Sequence, residues 1–161
     1  MSESKATITW ATTATPNDFT KGHYSREHVL TFDGGVSIPG SASPSVIPRP
    51  WSEPSAVDPE EAFVASIASC HMLSFLYVAA AQGFAASSYR DTAVGRMSKG
   101  ANGVPWVSTV RLQPELTWSS DRRPTEVELA ELHHHAHEQC FIANSIKTEV
   151  TVEAVRSSSP S

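Results

Sequence analysis

Apolar and polar side chains alternate in several stretches of the chain, a pattern typical of strands with one buried face. The predicted strands are residues 5–12, a hairpin over 28–38, then 86–98, 105–118 and 147–155. In the hairpin, the Asp33-Gly34-Gly35 stretch supplies a turn that requires positive φ angles. A proline-rich loop over residues 39–59 follows it.

A first helix is predicted from the signals at its two ends. Asp58 is a good N-cap, Pro59 suits the first helical position, and Glu60 and Glu61 favour the positive end of the helix dipole. Gly83 provides the stop. Because this helix is apolar nearly all round, we expect it to be buried on most sides.

A second helix, from residue 126 to about 143, is predicted to begin at a capping box formed by Thr125 and Glu128. The order strands, helix, strands, helix, strand predicts an α+β fold with two main helices against a mostly antiparallel sheet. The chain has 161 residues, for which we expect one domain over 1–156 and a frayed, Ser-rich tail at 157–161.

The first helix is also a candidate membrane span. Residues 62–81 carry no Lys, Arg, Asp or Glu and are long enough to span a bilayer. Three serines and His71 lie near the centre of this stretch, and no Lys or Arg anchors flank it. These features favour a buried helix in a protein with no membrane partner.

The charge balance is mildly acidic, with 12 Lys and Arg against 17 Asp and Glu. No basic stripe is available to neutralise phosphates, so nucleic acid is not an expected partner. The first fifteen residues are polar and rich in Thr, without the apolar core of a secretory leader. A cytoplasmic location is therefore expected.

The two cysteines, Cys70 and Cys140, are compatible with more than one role. A structural disulfide is not the first expectation for a chain without a leader, and two inert core thiols would fit the pattern equally well. Cys70 lies beyond the reach of the helix dipole, so a reactive thiol there needs a cation from elsewhere. His71 points about 100° away around the helix and is expected to be structural rather than activating.

A metal site is an alternative use for the second helix. Offsets of four and seven place His133, His137 and Cys140 on one helix face, as three metal ligands would require. No CxxC or HExxH spacing accompanies them, so the spacing alone does not select a metal site.

Two stretches together resemble a known family. "DPEEAFVASIASCHM" (58–72) is similar to the first signature of the OsmC/Ohr family, the osmotically inducible and organic hydroperoxide resistance proteins. "HHHAHEQCFIANSIKTEVTV" (133–152) is similar to its second signature, a helix with a cysteine followed by a turn and a final strand. The likeness covers nearly the whole chain in the same order of elements.

The resemblance implies an intertwined homodimer of OsmC-like fold that reduces organic hydroperoxides through thiol chemistry, without a cofactor. It implies that Cys70 is the peroxidatic thiol, Cys140 the resolving thiol and Glu60 the catalytic glutamate. Arg26, in "HYSREH", is the best match to the activating arginine, and Arg49 is a weaker match. The implied partners are an organic hydroperoxide and an external thiol reductant, with a dithiol or lipoyl-type carrier as one option.

Some residues depart from the family pattern. Ala56-Val57-Asp58 replaces the usual Gly-Thr-Asn, the proline-rich loop is longer, and His71 stands where an apolar residue often follows the first cysteine. These departures suggest a subgroup whose substrate differs. Two rival functions stay open from the residues: a metal-binding or metal-sensing protein, and a non-catalytic dimeric binding protein on the same fold.

Overall fold

The computed structural model describes residues 3–153, which form two compact units. The N-terminal unit ends at Ala62, and the C-terminal unit begins at Phe63. The expectation of a single domain over 1–156 stays a prediction. The predicted tail at 157–161 lies outside the described residues.

The N-terminal unit contains a three-stranded antiparallel sheet in the order β1-β2-β3. Its elements are β1 (Ala6–Thr9), α1 (Pro16–Thr20), β2 (His28–Phe32) and β3 (Ser37–Gly40). The hairpin turn between β2 and β3 places Gly35 at φ 87°, as the sequence predicts. The one-turn helix α1 was not predicted; Thr15 caps it by accepting a hydrogen bond from the Asp18 amide.

The long helix α2 runs from Pro59 to Ala81. At its start Asp58 and Glu61 exchange hydrogen bonds: the Glu61 amide donates to Asp58 Oδ1 (2.7 Å) and the Asp58 amide donates to Glu61 Oε2 (3.1 Å). Beyond its end, Gly83 adopts φ 79°. Both predicted end signals therefore act as expected.

The expectation that α2 is buried on most sides does not hold within one chain. Leu73 and Tyr77 are 62% and 70% exposed, and 28% of the most apolar 18-residue window is buried. By length and composition alone the helix could cross a membrane, with a mean hydropathy of 1.7, but the core helix of a soluble protein meets the same criteria. Here α2 contributes residues to both core clusters.

Two sheets and the second main helix make up the rest of the C-terminal unit. Its elements are β4 (Ala86–Asp91), β5 (Val94–Lys99), β6 (Pro105–Leu112), β7 (Pro114–Trp118), α3 (Glu126–Gln139), a 3-10 turn (Ala143–Ser145) and β8 (Glu149–Val152). β4 pairs with β7 and β5 with β6, both antiparallel, while β8 pairs with β6 in parallel. The predicted α+β class with antiparallel sheets and two main helices is confirmed.

The two long strands predicted over 86–98 and 105–118 are each broken in two. The breaks face one another, because Asp91 Oδ1 accepts a hydrogen bond from the Gln113 amide (2.7 Å) and removes that amide from the ladder. Pro114, which has no N–H to donate, begins the new strand. The second helix is also shorter than predicted, since α3 ends at Gln139 rather than near 143.

The C-terminal unit has two core clusters. One joins Phe75 and Val78 of α2 to Leu132 and Ala136 of α3. The other joins Ile67 of α2 to β6. The middle of α2, which carries Cys70 and His71, therefore lies between the two clusters along the chain.

Candidate active site

Cys70 and Cys140 are both free thiols in the C-terminal unit. Cys70 is half-buried in the middle of α2, whereas Cys140 is 1% exposed and caps the C-terminus of α3. The turn after α3 lies against both sulfurs, and Cys70 is near enough to contribute to the pKa of Cys140. The structure thus brings together two thiols that are seventy positions apart in the sequence.

Backbone amides of the turn after α3 point at both sulfurs. The Ile142 N–H donates to Cys70 Sγ and the Ala143 N–H donates to Cys140 Sγ, each at 3.5 Å. Amide donors stabilise a sulfur that carries negative charge. This turn therefore offers partial positive charge to both sulfurs.

Asn144 holds that turn in place. Its Nδ2 donates to the carbonyl oxygens of Glu138 and Cys140, both at 2.9 Å, and its backbone N–H donates to the Cys140 carbonyl at 3.1 Å. Sequence reasoning missed this residue and the two amides. The available signal was an Asn just beyond a helix end, a position where its side chain often satisfies free carbonyls.

The Cys140 thiol is a weak acid for a physical reason. Its pKa is raised to about 11, mainly by burial and to a smaller extent by the neighbouring Cys70, while the Ala143 and Ile142 amides oppose the shift. Cys140 is therefore protonated at neutral pH. The attacking species in thiol chemistry is the thiolate, so Cys140 is poorly suited to react first.

His71 and His133 form a buried pair beside the thiols. His71 Nε2 lies 3.0 Å from His133 Nδ1, and the two residues are 1% and 4% exposed. Burial lowers the pKa of each imidazole to about 4, so both are neutral at pH 7. His71 was expected to be structural rather than activating, and its contact with His133, which was not predicted, is consistent with a structural role.

The alternative metal ligands are not assembled. Among residues 3–153, no group of three or more His, Cys, Asp or Glu side chains is placed to hold a metal ion. His133 Nδ1 lies 3.0 Å from His71 Nε2, so this member of the trio with His137 and Cys140 already has a partner.

Arg26 and Glu60 belong to the N-terminal unit. Arg26 Nη1 donates to the carbonyls of Gly22 and Tyr24, both at 2.7 Å, and its guanidinium carbon lies 3.8 Å from the Tyr24 ring centroid. Within residues 3–153 neither Arg26 nor Glu60 takes part in an ion pair. The two residues that the resemblance assigns to the site, Arg26 and Glu60, therefore form no ion pair with each other among residues 3–153.

Arg49, the weaker candidate, lies near another carboxylate. Glu53 has a lowered pKa, first because the Ser55 amide and hydroxyl donate to it, and to a smaller extent because of the Arg49 charge. These contacts do not show whether Arg26 or Arg49 acts on the thiols.

Comparisons with known proteins place this site in a family. A family model described as OsmC-like protein matches residues 52–155, which include both cysteines. Comparison with curated proteins gave no match.

Solved structures show the same fold over nearly the whole chain. An OsmC-like protein of unknown function from Vibrio cholerae is 48% identical, with a TM-score of 0.90 and coverage of 96% of this chain and 100% of that one. An organic hydroperoxide resistance protein from Legionella pneumophila is 19% identical, with a TM-score of 0.68 and coverage of 96% of both chains. The protein OhrB of Bacillus subtilis, also an organic hydroperoxide resistance protein, is 17% identical, with a TM-score of 0.63 and coverage of 95% and 98%. The resemblance found in the two cysteine signatures is confirmed, and the chain belongs to the OsmC-like protein family.

Proposed function

We propose that this protein is a thiol peroxidase that reduces organic hydroperoxides, with Cys70 as the attacking thiol and Cys140 as the resolving thiol. The observation that carries the proposal is that adjacent amides of one turn, Ile142 and Ala143, donate to Cys70 Sγ and Cys140 Sγ and so bring the two thiols to the same place. The family match and the names of the two hydroperoxide resistance relatives support a peroxide-related redox role.

The chemistry balances with the residues present. The Cys70 thiolate attacks the O–O bond, giving a sulfenic acid on Cys70 and an alkoxide, which takes up the proton lost when the thiol ionised and leaves as the alcohol. The Cys140 thiol then attacks this sulfur, and its proton leaves with the hydroxyl group as water while the disulfide forms. An external thiol reductant returns both cysteines to the reduced state.

The different environments of the thiols support this order of events. Cys70 is the more exposed of the two and stands in a stretch of α2 that is apolar and poor in charge, which suits an organic peroxide. Cys140 is buried and keeps its proton at neutral pH, so it is held ready as the second reactant.

An arginine from the N-terminal unit completes the proposed site. Arg26 uses two of its five N–H donors on backbone carbonyls and keeps the others for a further partner. A guanidinium keeps its charge at any physiological pH, and it would stabilise the Cys70 thiolate and orient the peroxide. Glu60 would hold that guanidinium by a two-pronged hydrogen bond.

We place this completion in a homodimer. Glu60 and Cys70 lie on the regular helix α2. Ten residues of helix correspond to about 15 Å along the axis and a rotation of about 80°, so one arginine does not bridge both groups of the same helix directly. A second subunit would bring its own Arg26 and Glu60 to the first subunit's Cys70, and these two side chains, which form no ion pair in the single chain, would pair only in the assembled dimer.

The test of the proposed function is single-turnover kinetics with one equivalent of an alkyl hydroperoxide. The wild-type protein should lose both free thiols as one disulfide within the chain. Cys70→Ser should leave the hydroperoxide unconsumed, whereas Cys140→Ser should consume one equivalent and accumulate a sulfenic acid that a dimedone probe captures.

Two outcomes would contradict the proposal. If Cys70→Ser retained hydroperoxide reduction while Cys140→Ser lost it, the assigned roles would be reversed. If the wild-type thiols survived the hydroperoxide unchanged, both cysteines would be inert core residues.

A further inference from the structure

The buried pair His71–His133 is a second polar link between the helices that carry the two thiols. The rings are nearly parallel, with an interplanar angle of 11° and centroids 5.3 Å apart, and the Phe75 ring stacks on His133 at 4.3 Å. One imidazole belongs to α2 and the other to α3. The contact therefore fixes a distance and a direction between these helices.

The pair is a poor source of stability. A neutral imidazole has one N–H and one bare nitrogen, so a single hydrogen bond between two of them leaves one N–H and one bare nitrogen over. Those outer atoms, His71 Nδ1 and His133 Nε2, are buried and without a hydrogen-bond partner among residues 3–153. Each such group lowers the stability of the fold, and two apolar side chains of similar shape are often as stable as a buried polar pair.

The pair can instead fix how α2 and α3 are rotated and shifted relative to one another. α2 is apolar round its circumference, and apolar packing alone distinguishes weakly between neighbouring rotations of such a helix. A buried hydrogen bond has a defined length and direction, and buried polar contacts of this kind can fix the register of packed helices at some cost in stability.

The registry matters for the thiols because of where the histidines stand. His71 follows Cys70 directly, and His133 precedes Cys140 by seven residues, about two helical turns or 10 Å. A rotation of α2 by one residue would turn Cys70 about 100° away from its present direction. The same movement would separate the His71 and His133 rings.

We propose that the His71–His133 hydrogen bond positions Cys70 against Cys140 and thereby sets the effective concentration of one thiol at the other. Both histidines are positioning residues, since they act through the thiols. The consequence for catalysis rests on the proposed function, because only a peroxidase cycle uses the resolving step. The juxtaposition itself does not depend on that function.

The experiment measures the reduction potential of the Cys70–Cys140 pair by equilibration with a dithiothreitol redox buffer. The variant His71→Leu/His133→Leu keeps apolar packing and removes the bond. We expect the effective concentration to fall at least tenfold, which corresponds to a potential about 30 mV less negative. His71→Gln/His133→Asn places amide nitrogen and oxygen atoms at the reach of the bonded imidazole nitrogens and should restore the wild-type potential.

An exposed histidine on α3, the helix that carries His133, serves as the matched control. His135, with a side chain that is 49% exposed, should leave the potential unchanged when replaced by Leu. If the double Leu variant does not fold, His71→Met is compared with His71→Gln in the same assay, and only the former should shift the potential. A folded variant that lacks the bond but keeps the wild-type potential would overturn the proposal.

Single-turnover kinetics separates this proposal from the proposed function. With an alkyl hydroperoxide, the double Leu variant should form the Cys70 sulfenic acid at the wild-type rate and form the disulfide at least tenfold more slowly. Equal slowing of both steps would contradict a positioning role. If the wild-type protein does not react with hydroperoxide at all, the proposed function fails, and the potentials still decide the role of the pair.

Discussion

At the residue scale, the two imidazoles make the fold sensitive to acid. Burial lowers the pKa of His71 to about 4, with a smaller contribution from the His137 charge, and the pKa of His133 to about 4, with a smaller contribution from His71. An unfolded histidine titrates near 6.5. Between these two values the unfolded chain binds protons that the folded chain does not, so the free energy of unfolding decreases as the pH falls.

We therefore predict a loss of stability between about pH 6.5 and pH 4 that depends on this pair. Each unit of depressed pKa corresponds to about 1.4 kcal/mol, so the two groups together contribute on the order of several kcal/mol over that window. Urea unfolding at pH 7 and pH 5 measures it. The wild-type protein should lose more stability between these pH values than His71→Leu/His133→Leu, in which neither group titrates.

Protonation of carboxylates also lowers the stability of folded proteins in acid. The prediction therefore concerns the difference in pH dependence between the wild type and the variant, not the slope of either one. Both chains carry the same Asp and Glu residues, so their contribution cancels in the difference. His135→Leu again provides the control, because that side chain is half exposed and should leave the pH dependence as it is. Parallel stability profiles for the wild type and the double variant would contradict the prediction.

At the element scale, α3 depends on its first turn. The Glu128 amide donates to Thr125 Oγ1 at 3.2 Å, and the Thr125 amide donates to Glu128 Oε2 at 2.8 Å. These reciprocal bonds satisfy donors that a helix start otherwise leaves free, and they lower the pKa of Glu128.

Removal of this capping box should weaken the helix that ends at Cys140. We predict that Thr125→Ala lowers the free energy of unfolding by about 1 kcal/mol, measured by urea denaturation at pH 7. Glu131→Ala, at an exposed position of the same helix, should change it by less than about 0.5 kcal/mol. Equal losses in both variants would show that the capping bonds do not contribute as the geometry requires.

Element ends that depend on local chemistry could be predicted from the sequence. Asp58, Gly83 and Thr125 act within three or four residues of themselves, so the helix starts and the end of α2 follow from short-range rules. Pro114 is a local signal for the break in the second strand, whereas the hydrogen bond between Asp91 and Gln113 joins residues 22 positions apart and could not be predicted.

The residues of the candidate site also fall into those that the sequence could identify and those that it could not. Cys70 and Cys140 stand in stretches whose spacing and composition resemble a family, so they could be identified from the sequence. The His71–His133 contact joins residues 62 positions apart, and no local pattern specifies which of several histidines on α3 faces inward. Asn144 acts locally, but its importance follows only once Cys140 is known to cap the helix.

At the scale of the whole molecule, the exposed face of α2 favours a second copy of the chain. Leu73 and Tyr77 are spaced by one helical turn and are 62% and 70% exposed on a helix with no charged side chain nearby. Exposed apolar side chains of this size on one face are typical of an interface. Light scattering coupled to size exclusion at low micromolar concentration should therefore give the mass of a dimer.

A stable and fully active monomer would contradict the shared site. Tyr77→Lys places a charge on this face and should shift the protein toward monomer. Lys99→Glu, at the end of β5, should not.

Subunit mixing tests the origin of the arginine more directly. Arg26→Met and Cys70→Ser chains should each be nearly inactive alone. If the arginine comes from the other subunit, a mixed dimer contains one intact site, so random mixing should recover about a quarter of the wild-type activity. If each chain supplies its own arginine, mixing recovers no activity. If instead an inactive Arg49→Met chain recovers activity when it is mixed with Cys70→Ser, the role of the arginine belongs to Arg49.

The wide separation of the two cysteines along the chain has a consequence for biosynthesis. The reactive pair is built from a thiol in the middle of the sequence and one close to its C-terminal strand, seventy positions later. Ribosomes add about 5–20 residues per second, so Cys70 exists for roughly 4 to 14 seconds before Cys140 has been synthesised. Under the proposed cycle, a nascent chain oxidised at Cys70 during that interval would have no resolving thiol of its own, and its sulfenic acid would be open to further, irreversible oxidation. The proposed cycle therefore predicts that slower translation during oxidative stress yields less active protein.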